Sequence, residues 1–367
     1  MRLLNFLLIT TTVSAQTYSQ CNPLNTAQCP PDAALAMSVN IDFRKGSVNS
    51  FVAAGTPSYG PEGVSFTVSR GGEAPQLNSL FYIMFGRVEA SVKAAPGAGI
   101  VSSLVLESDA LDEIDVELLG SNGGEMQSNY FGKGNTATYN RGRFHAVAGT
   151  QDRFITYTID WTPDRIVWAA DGNIVRVLSQ SEAEPGQYPQ TPMRLKMGAW
   201  AGGDPATNAE GTVSWARGPT DYSRGPFTML IRSVSVTDYS TGKEYRYRDQ
   251  SGSASSIEAV GGAVNANRVR NPYPVSPVAG NAASRDGGPA SVPIGGLARD
   301  GSPAARTQTG WPWVAGAGPT GGPIPSGWHM TAEGKIMRDD SPASRPAPVL
   351  ILLLLLPALA AAGLLLS

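Results

Sequence analysis

The 367-residue chain carries 28 Lys and Arg against 30 Asp and Glu, a net charge of −2. With the charge so balanced and no basic cluster interleaved with aromatics, no nucleic acid partner is expected. The chain has two histidines, His145 and His329, far apart and at no ligand-like spacing from each other or from a cysteine, so no metal and no other cofactor is expected either.

In chain order, residues 1–15 come first. Met1-Arg2, an apolar run from Leu3 to Ile9 and Val13-Ser14-Ala15 have the layout of a secretory signal peptide cut after Ala15. In the oxidising compartment beyond it, Cys21 and Cys29 are expected to pair and close a small loop within residues 16–36. No Asn-x-Ser/Thr sequon occurs, so any glycosylation is expected to be O-linked.

From 37 to 250 the pattern is that of strands separated by turns. Val64 to Val68 alternates, Phe81 to Val92 is rich in aromatic and β-branched residues, and Ile100 to Leu106 leads into an acidic run. Phe154 to Trp161, Arg165 to Ala169 and Ile174 to Val177 follow, the last two joined by Asp171-Gly172, a hairpin signal because both positions tolerate positive φ. Met193 to Trp200 and Leu230 to Val236 add two more strands. The fold class is therefore all-β, one antiparallel β-sandwich with Trp161 and Trp168 in its core, and we expect a monomer. Residues 251–340 are dominated by Gly, Pro, Ala and Ser and are expected to form a disordered stalk, with Trp311, Trp313 and Trp328 incidental to it. Residues 341–367 end in an apolar run, Val349 to Leu366, with no Lys or Arg after it; preceded by small residues and a polar spacer, they match a removable glycosylphosphatidylinositol-anchor signal with attachment at Asp340 or Ser341. The expected location is the outer face of the plasma membrane or the cell wall.

The acidic run is Asp112-Glu113-Ile114-Asp115-Val116-Glu117. Residues two apart in a strand share a face, so Glu113, Asp115 and Glu117 line one surface while Ile114, Val116 and Leu118 line the other. There is no cation between Lys93 and Lys133 to relieve the crowding. At least one of these carboxyls is expected to titrate high, and one ionised beside one protonated carboxyl is what cleavage of a glycosidic bond with retention requires. Glu positions four apart lie about 13 Å apart at Cα, and retaining carboxyls need roughly 5–5.5 Å, so the side chains must lean together. Candidate sugar-binding groups are Gln127, Asn129, Tyr130 and Lys133, one turn further on, and Trp200 and Trp215, whose indole faces suit the apolar face of a pyranose.

These motifs, with Asn129 to Gly134, Tyr157 to Thr162, Trp200 to Asp204, Cys21-Asn22-Pro23 and Cys29-Pro30, resemble the fungal Crh-type branch of glycoside hydrolase family 16, a group of cell-wall transglycosylases. The likeness covers the mature start to about residue 247. It implies a concanavalin-like β-jelly roll, with Glu113 as nucleophile, Glu117 as general acid/base and Asp115 steering their protonation; strand geometry alone does not order these roles. One departure is Val116, where a larger apolar or aromatic residue is expected. The activity implied is cleavage of a β-linked chain, chitin foremost, and its transfer to β-glucan or chitin; hydrolysis as an endo-β-glucanase, or wall binding without turnover, are the alternatives.

Overall fold

A computed structural model describes residues 19–267 and, further along, the backbone of 328–330 and 336–338. The expected signal peptide, most of the stalk, Trp311, Trp313 and both anchor positions lie outside the described residues.

The strands are short and end at turns, as the punctuation of the sequence predicts. They are β1 (Asp32–Ala33), β2 (Ser38–Asp42), β3 (Phe51–Ala54), β4 (Ser58–Gly60), β5 (Gly63–Val68), β6 (Gln76–Ile83), β7 (Gly86–Lys93), β8 (Ile100–Ser108) and β9 (Glu113–Leu119). After them come β10 (Glu125–Phe131), β11 (Arg143–Ala146), β12 (Ile155–Trp161), β13 (Arg165–Ala170), β14 (Asn173–Ser179), β15 (Met193–Ala201), β16 (Phe227–Asp238), β17 (Glu244–Tyr247) and β18 (Ile257–Val260). A seven-stranded sheet runs β11-β10-β9-β8-β15-β6-β3, and a second runs β14-β13-β12-β7-β16-β5-β4 with β2 also on β16. All these pairings are antiparallel. The β13–β14 hairpin turns at Asp171-Gly172, where φ is +47° and +77°.

Alternation decides what lies between the sheets. From the seven-stranded sheet come Ile114, Val116 and Leu118, with Leu104, Leu106, Leu195 and Met197; from the other come Val88, Ile159, Trp161 and Trp168, and all belong to one buried cluster. Val116 is thus a packing residue, pointing away from the acids. Trp161 donates its Nε1–H to the Pro189 carbonyl (3.1 Å). Trp168 donates across the sandwich to the carbonyl oxygen of Asp115 (3.0 Å), which ties the middle of the acidic strand to the opposite sheet.

The expected boundaries need correction at both ends. β1 pairs with β17, and β17 with β18, in a third small sheet, so 32–36 and 251–267 belong to the folded domain. Ile257 and Ala259 of β18 are buried. The serine-rich stretch that precedes them has no periodicity of its own; its Ala254 N–H donates to Gln190 Oε1 (3.0 Å) and its Ser256 carbonyl accepts from the Arg248 N–H (2.8 Å). Cys21 and Cys29 form a disulfide, with Cα atoms 5.6 Å apart. Within the span expected as stalk, Trp328–Met330 also pairs with Ile336–Arg338 as a short antiparallel ladder.

Candidate active site

Pairing register builds the site row by row on the outer face of the seven-stranded sheet. Glu117 on β9 lies between Gln127 on β10 and Ser103 on β8; Asp115 lies between Asn129 and Val105; Glu113 lies between Phe131 and Glu107. β15 continues the rows with Gly198, Lys196 and Arg194. Directly opposite residues share a face, so these side chains form one continuous polar field. Gly198 matters here: a Cβ there would collide with the Pro75 carbonyl, so only glycine lets that loop close over the row of Glu117. Beside it is a cleft of ≈ 330 Å³ lined by Pro75, Gln76, Ser103, Lys196, Trp200 and Asn208.

The acids do not face open water. Glu113, Asp115 and Glu117 are 4%, 2% and 5% exposed, so they form the floor of a covered groove rather than a solvated ledge. Burial is the main reason the titration of Glu113 and of Asp115 is displaced. It pushes Glu113 up to about 7, with the charge of Glu107 adding to the rise and a hydrogen bond from Asp115 and the charge of Lys196 opposing it. Asp115 is pushed well above the usual carboxylate range by burial first and then by the charges of Glu113 and Glu117. Crowding of like charges, the expected cause, is therefore second to desolvation. The hydrogen bond between them raises Asp115 and lowers Glu113, so the Asp115 hydroxyl is the donor and Glu113 the acceptor. Glu113 Oε2, Asp115 Oδ1 and Asn129 Oδ1 are buried without a protein partner and lie in adjacent positions of the two strands.

Glu117 is held differently. Ser103 Oγ lies 3.4 Å from its Oε1, and the Trp200 indole donates to the same Ser103 hydroxyl at 3.1 Å. Trp215, at the end of the single α-helix among the described residues, α1 (Glu210–Trp215), donates its indole N–H to Gln127 Oε1 (3.1 Å). The two indoles stack, with centroids 6.1 Å apart and planes 24° from parallel.

Sequence comparison agrees with this arrangement. Residues 44–217 match the family described as Glycosyl hydrolases family 16. Crh-like protein 4 of Botryotinia fuckeliana is 54% identical over 330 residues, spanning 88% of this chain and 86% of that protein. The chain belongs to glycosyl hydrolases family 16. Within it the chain falls in the Crh-like branch: Crh-like protein 4 of Aspergillus fumigatus is 47% identical over 91% of this chain and 75% of that protein. A solved structure, Crh5 transglycosylase in complex with NAG, is 48% identical and superposes with a TM-score of 0.63 over 65% of this chain and 100% of that one. This family 16 chain is accordingly an enzyme of the glycosidase and transglycosylase type, and its paired sheets are the family's jelly-roll sandwich.

The structure sorts the residues singled out in the sequence. Gln127, Asn129, Trp200 and Trp215 lie on or over the acid face. Tyr130 does not: it pairs with Ile114 on the core face, is 3% exposed, and its hydroxyl accepts from the Glu184 N–H (3.0 Å). It braces the sheet from behind, and the expectation that it binds sugar is corrected. Lys133 also lies off the site. It follows β10 at φ +54°, its N–H donates to Asp112 Oδ1 (2.9 Å), and its stem packs against Gly252. Asp112, the first acid of the run, is structural as well, its Oδ2 accepting from the N–H groups of Gln190 (2.8 Å) and Thr191 (3.1 Å) and from the Thr191 hydroxyl (2.7 Å). The motif Tyr157 to Thr162 is core, with Asp160 accepting from Arg165 (2.9 Å) and from the Tyr239 hydroxyl (3.1 Å).

Four residues of the field escape a reading of the sequence. Ser103, Glu107 and Lys196 stand in strands that read as apolar runs, and Lys196 forms an ion pair with Glu107 next to Glu113. Phe144, 45% exposed at the edge strand β11, lies opposite Gln127 with the Arg217 guanidinium over its ring. A signal for the first three is present in polar residues that share a strand face, Ser103 and Glu107 four apart in β8 and Arg194 and Lys196 two apart in β15, within otherwise apolar strands.

Proposed function

We propose that this enzyme is a retaining transglycosylase of the cell wall, in which Glu113 is the nucleophile, Glu117 the general acid/base and Asp115 the residue that manages the proton of Glu113. The observation that carries the reading is the state of Glu113: a buried carboxylate hydrogen-bonded by Asp115, with its Oε2 left without a protein partner. A buried acceptor of this kind is costly unless something fills it. An oxygen left free of hydrogen bonds keeps its lone pair available to attack the electrophilic anomeric carbon of a sugar bound over the strand.

In the first half of the reaction a Glu113 oxygen attacks the anomeric carbon, the bond to the leaving sugar oxygen breaks, and Glu117 gives that oxygen its proton. A glycosyl ester on Glu113 results. In the second half a hydroxyl of an acceptor chain loses its proton to Glu117 and attacks the same carbon, and the ester bond breaks to return Glu113 as carboxylate. Asp115 holds Glu113 by a hydrogen bond while Glu113 is ionised and keeps its own proton throughout. The half-buried indoles of Trp200 and Trp215 beside the cleft give pyranose rings flat apolar surfaces.

The donor we propose is a chitin chain, and the acceptors β-glucan or chitin. Support comes from the Crh5 relative, which is a transglycosylase obtained with NAG, the repeating unit of chitin. We further propose that the protein is secreted through residues 1–15 and held at the outer membrane face or wall by an anchor at Asp340 or Ser341. The test incubates soluble chitin oligomers with labelled glucan and chitin oligosaccharides and sizes the products. Labelled chains longer than the acceptor are expected. Shortened donor with no labelled adduct would mean that water resolves the intermediate and the enzyme is a hydrolase; binding without any new product would mean a wall-binding module.

A further inference from the structure

We propose that Trp200 and Trp215 are positioning residues for Glu117, each using its indole N–H to orient one of the two polar side chains that flank that carboxylate. The proposal rests on the reading of Glu117 as the acid/base.

An indole N–H can only donate. Since Trp200 Nε1 donates to Ser103 Oγ (3.1 Å), the one proton of that hydroxyl has to point elsewhere, and the neighbour waiting for it is Glu117 Oε1 at 3.4 Å. That is a long bond, of the kind that tightens when a substrate closes the site. Trp215 Nε1 donates to Gln127 Oε1 (3.1 Å), which settles that the Gln127 carbonyl faces the indole and leaves its amide N–H groups, which lie over Gly142, free for a bound sugar in the row of Glu117. Ser103 on β8 and Gln127 on β10 are the residues directly opposite Glu117 on its two neighbouring strands. The indoles come from separate elements, β15 and the end of α1, yet they stack on each other and rest on a small apolar seat of Val101, Leu119 and Ala216. That seat lies one row beyond Glu117. A braced pair of rings thus fixes one hydrogen-bond direction at the carboxylate, through Ser103, and the orientation of the amide opposite it, Gln127.

The Ser103 hydroxyl so directed favours the ionised form of Glu117, the form that must take the acceptor's proton. Asp115 and Glu113 lie on the strand of Glu117 itself, Glu107 on β8 and Lys196 on β15, while β10 brings Glu125, paired with Arg217 after α1.

The test measures kcat/KM against pH, and kcat for transfer, with chitin oligomers for wild type, Ser103→Ala, Ser103→Thr, Trp200→Phe, Trp215→Phe and the double variant Ser103→Ala/Trp200→Phe. Phenylalanine keeps an aromatic face and removes the N–H. We expect the basic limb to move up by roughly half a pH unit in Ser103→Ala and Trp200→Phe, and kcat for transfer to fall about tenfold. Ser103→Thr should restore both, and the double variant should be no worse than Ser103→Ala, because the two act in one chain. Trp215→Phe should lower kcat with the limb unmoved, Gln127 carrying no charge. If the tryptophans serve only as sugar platforms, KM alone rises and the limb stays, which overturns the proposal. Glu117→Ala, assayed with an activated aryl donor, reports separately on Glu117. If it fails to form the intermediate, the acid/base reading falls and the proposal with it; if it succeeds while the Ser103→Ala profile is unmoved, the proposal alone falls.

Discussion

Glu113 and Asp115 share the problem of being carboxyls in a place that disfavours charge. Burial raises both, and Glu113, raised to about 7, must be ionised to act as the proposed nucleophile. The rate should therefore decline as pH falls below about 7, with the limb reporting the pair and not one residue. Glu107 sets part of this: its charge raises Glu113 while Lys196, which it pairs with, lowers it. Glu107→Gln removes the first effect and releases the second, so the acidic limb of kcat/KM should move to lower pH; a limb that moved upward would show that the carboxylate opposite Glu113 is not what holds its proton. Glu113→Gln should abolish cleavage and transfer, since the amide forms no ester; a residual rate within about tenfold of wild type would place the nucleophile elsewhere. Glu117→Ala should still form the intermediate from an activated aryl glycoside, and azide should then yield a glycosyl azide of retained configuration. An adduct from Glu113→Ala in place of Glu117→Ala would reverse the two roles.

At the scale of elements, β9 is the strand to which the others supply parts. Its sequence alternates, and that alone is enough to separate an acid face from a core face. What the alternation leaves open is which strands become its neighbours. β10 follows through a short turn and its register is legible, which is why Gln127 and Asn129 can be placed beside the acids from the sequence. Tyr130 is one residue out of phase, and a one-residue shift puts a side chain on the opposite face. β15 reaches the site from far along the chain, so Lys196 and Trp200 are brought in by sheet closure. β18 shows the opposite limit: four residues, Ile257–Val260, with too little pattern to announce a strand, are held by pairing with β17. A chain ending at residue 250 loses this strand and the burial of Ile257, a loss on the order of 3 kcal/mol, so its melting temperature should drop by several degrees relative to a chain ending at 267. Equal melting temperatures would mean that β18 adds nothing to the domain.

For the whole molecule, the buried acids of the proposed site lower the stability of the fold as the pH rises. A carboxyl raised in the folded state contributes stability below its unfolded pKa and loses it as pH rises through its folded value. Glu113, raised from 4.5 to about 7, Asp238, raised by burial to about 7, and Asp115 all act in this direction. The melting temperature should therefore fall between pH 5 and pH 8. Glu113→Gln should lose activity yet fall less, being more stable than wild type at pH 8 by on the order of 1–3 kcal/mol. A variant that melts at or below the wild-type temperature at pH 8 would show that Glu113 is not strained by its burial. If the proposed anchor is present, a phospholipase specific for phosphatidylinositol should release the protein from membranes, and retention after treatment would count against it.

The sandwich, the hairpin at Asp171-Gly172, the core places of Trp161 and Trp168, and the shared face of Glu113, Asp115 and Glu117 can be read along the chain, because each follows from a period of two or a local turn preference. Tertiary structure decided what that face is. Burial depends on what covers a strand, so only the folded chain makes desolvation the leading cause of the raised carboxyls, places Glu107 and Lys196 against Glu113, and assigns Tyr130, Lys133 and Asp112 to support. It also brings Trp200 and Trp215, from two elements with no local relation, to stack one row beyond Glu117, since contacts between distant segments are set by how sheets close and carry no signature in the spacing of residues along the chain.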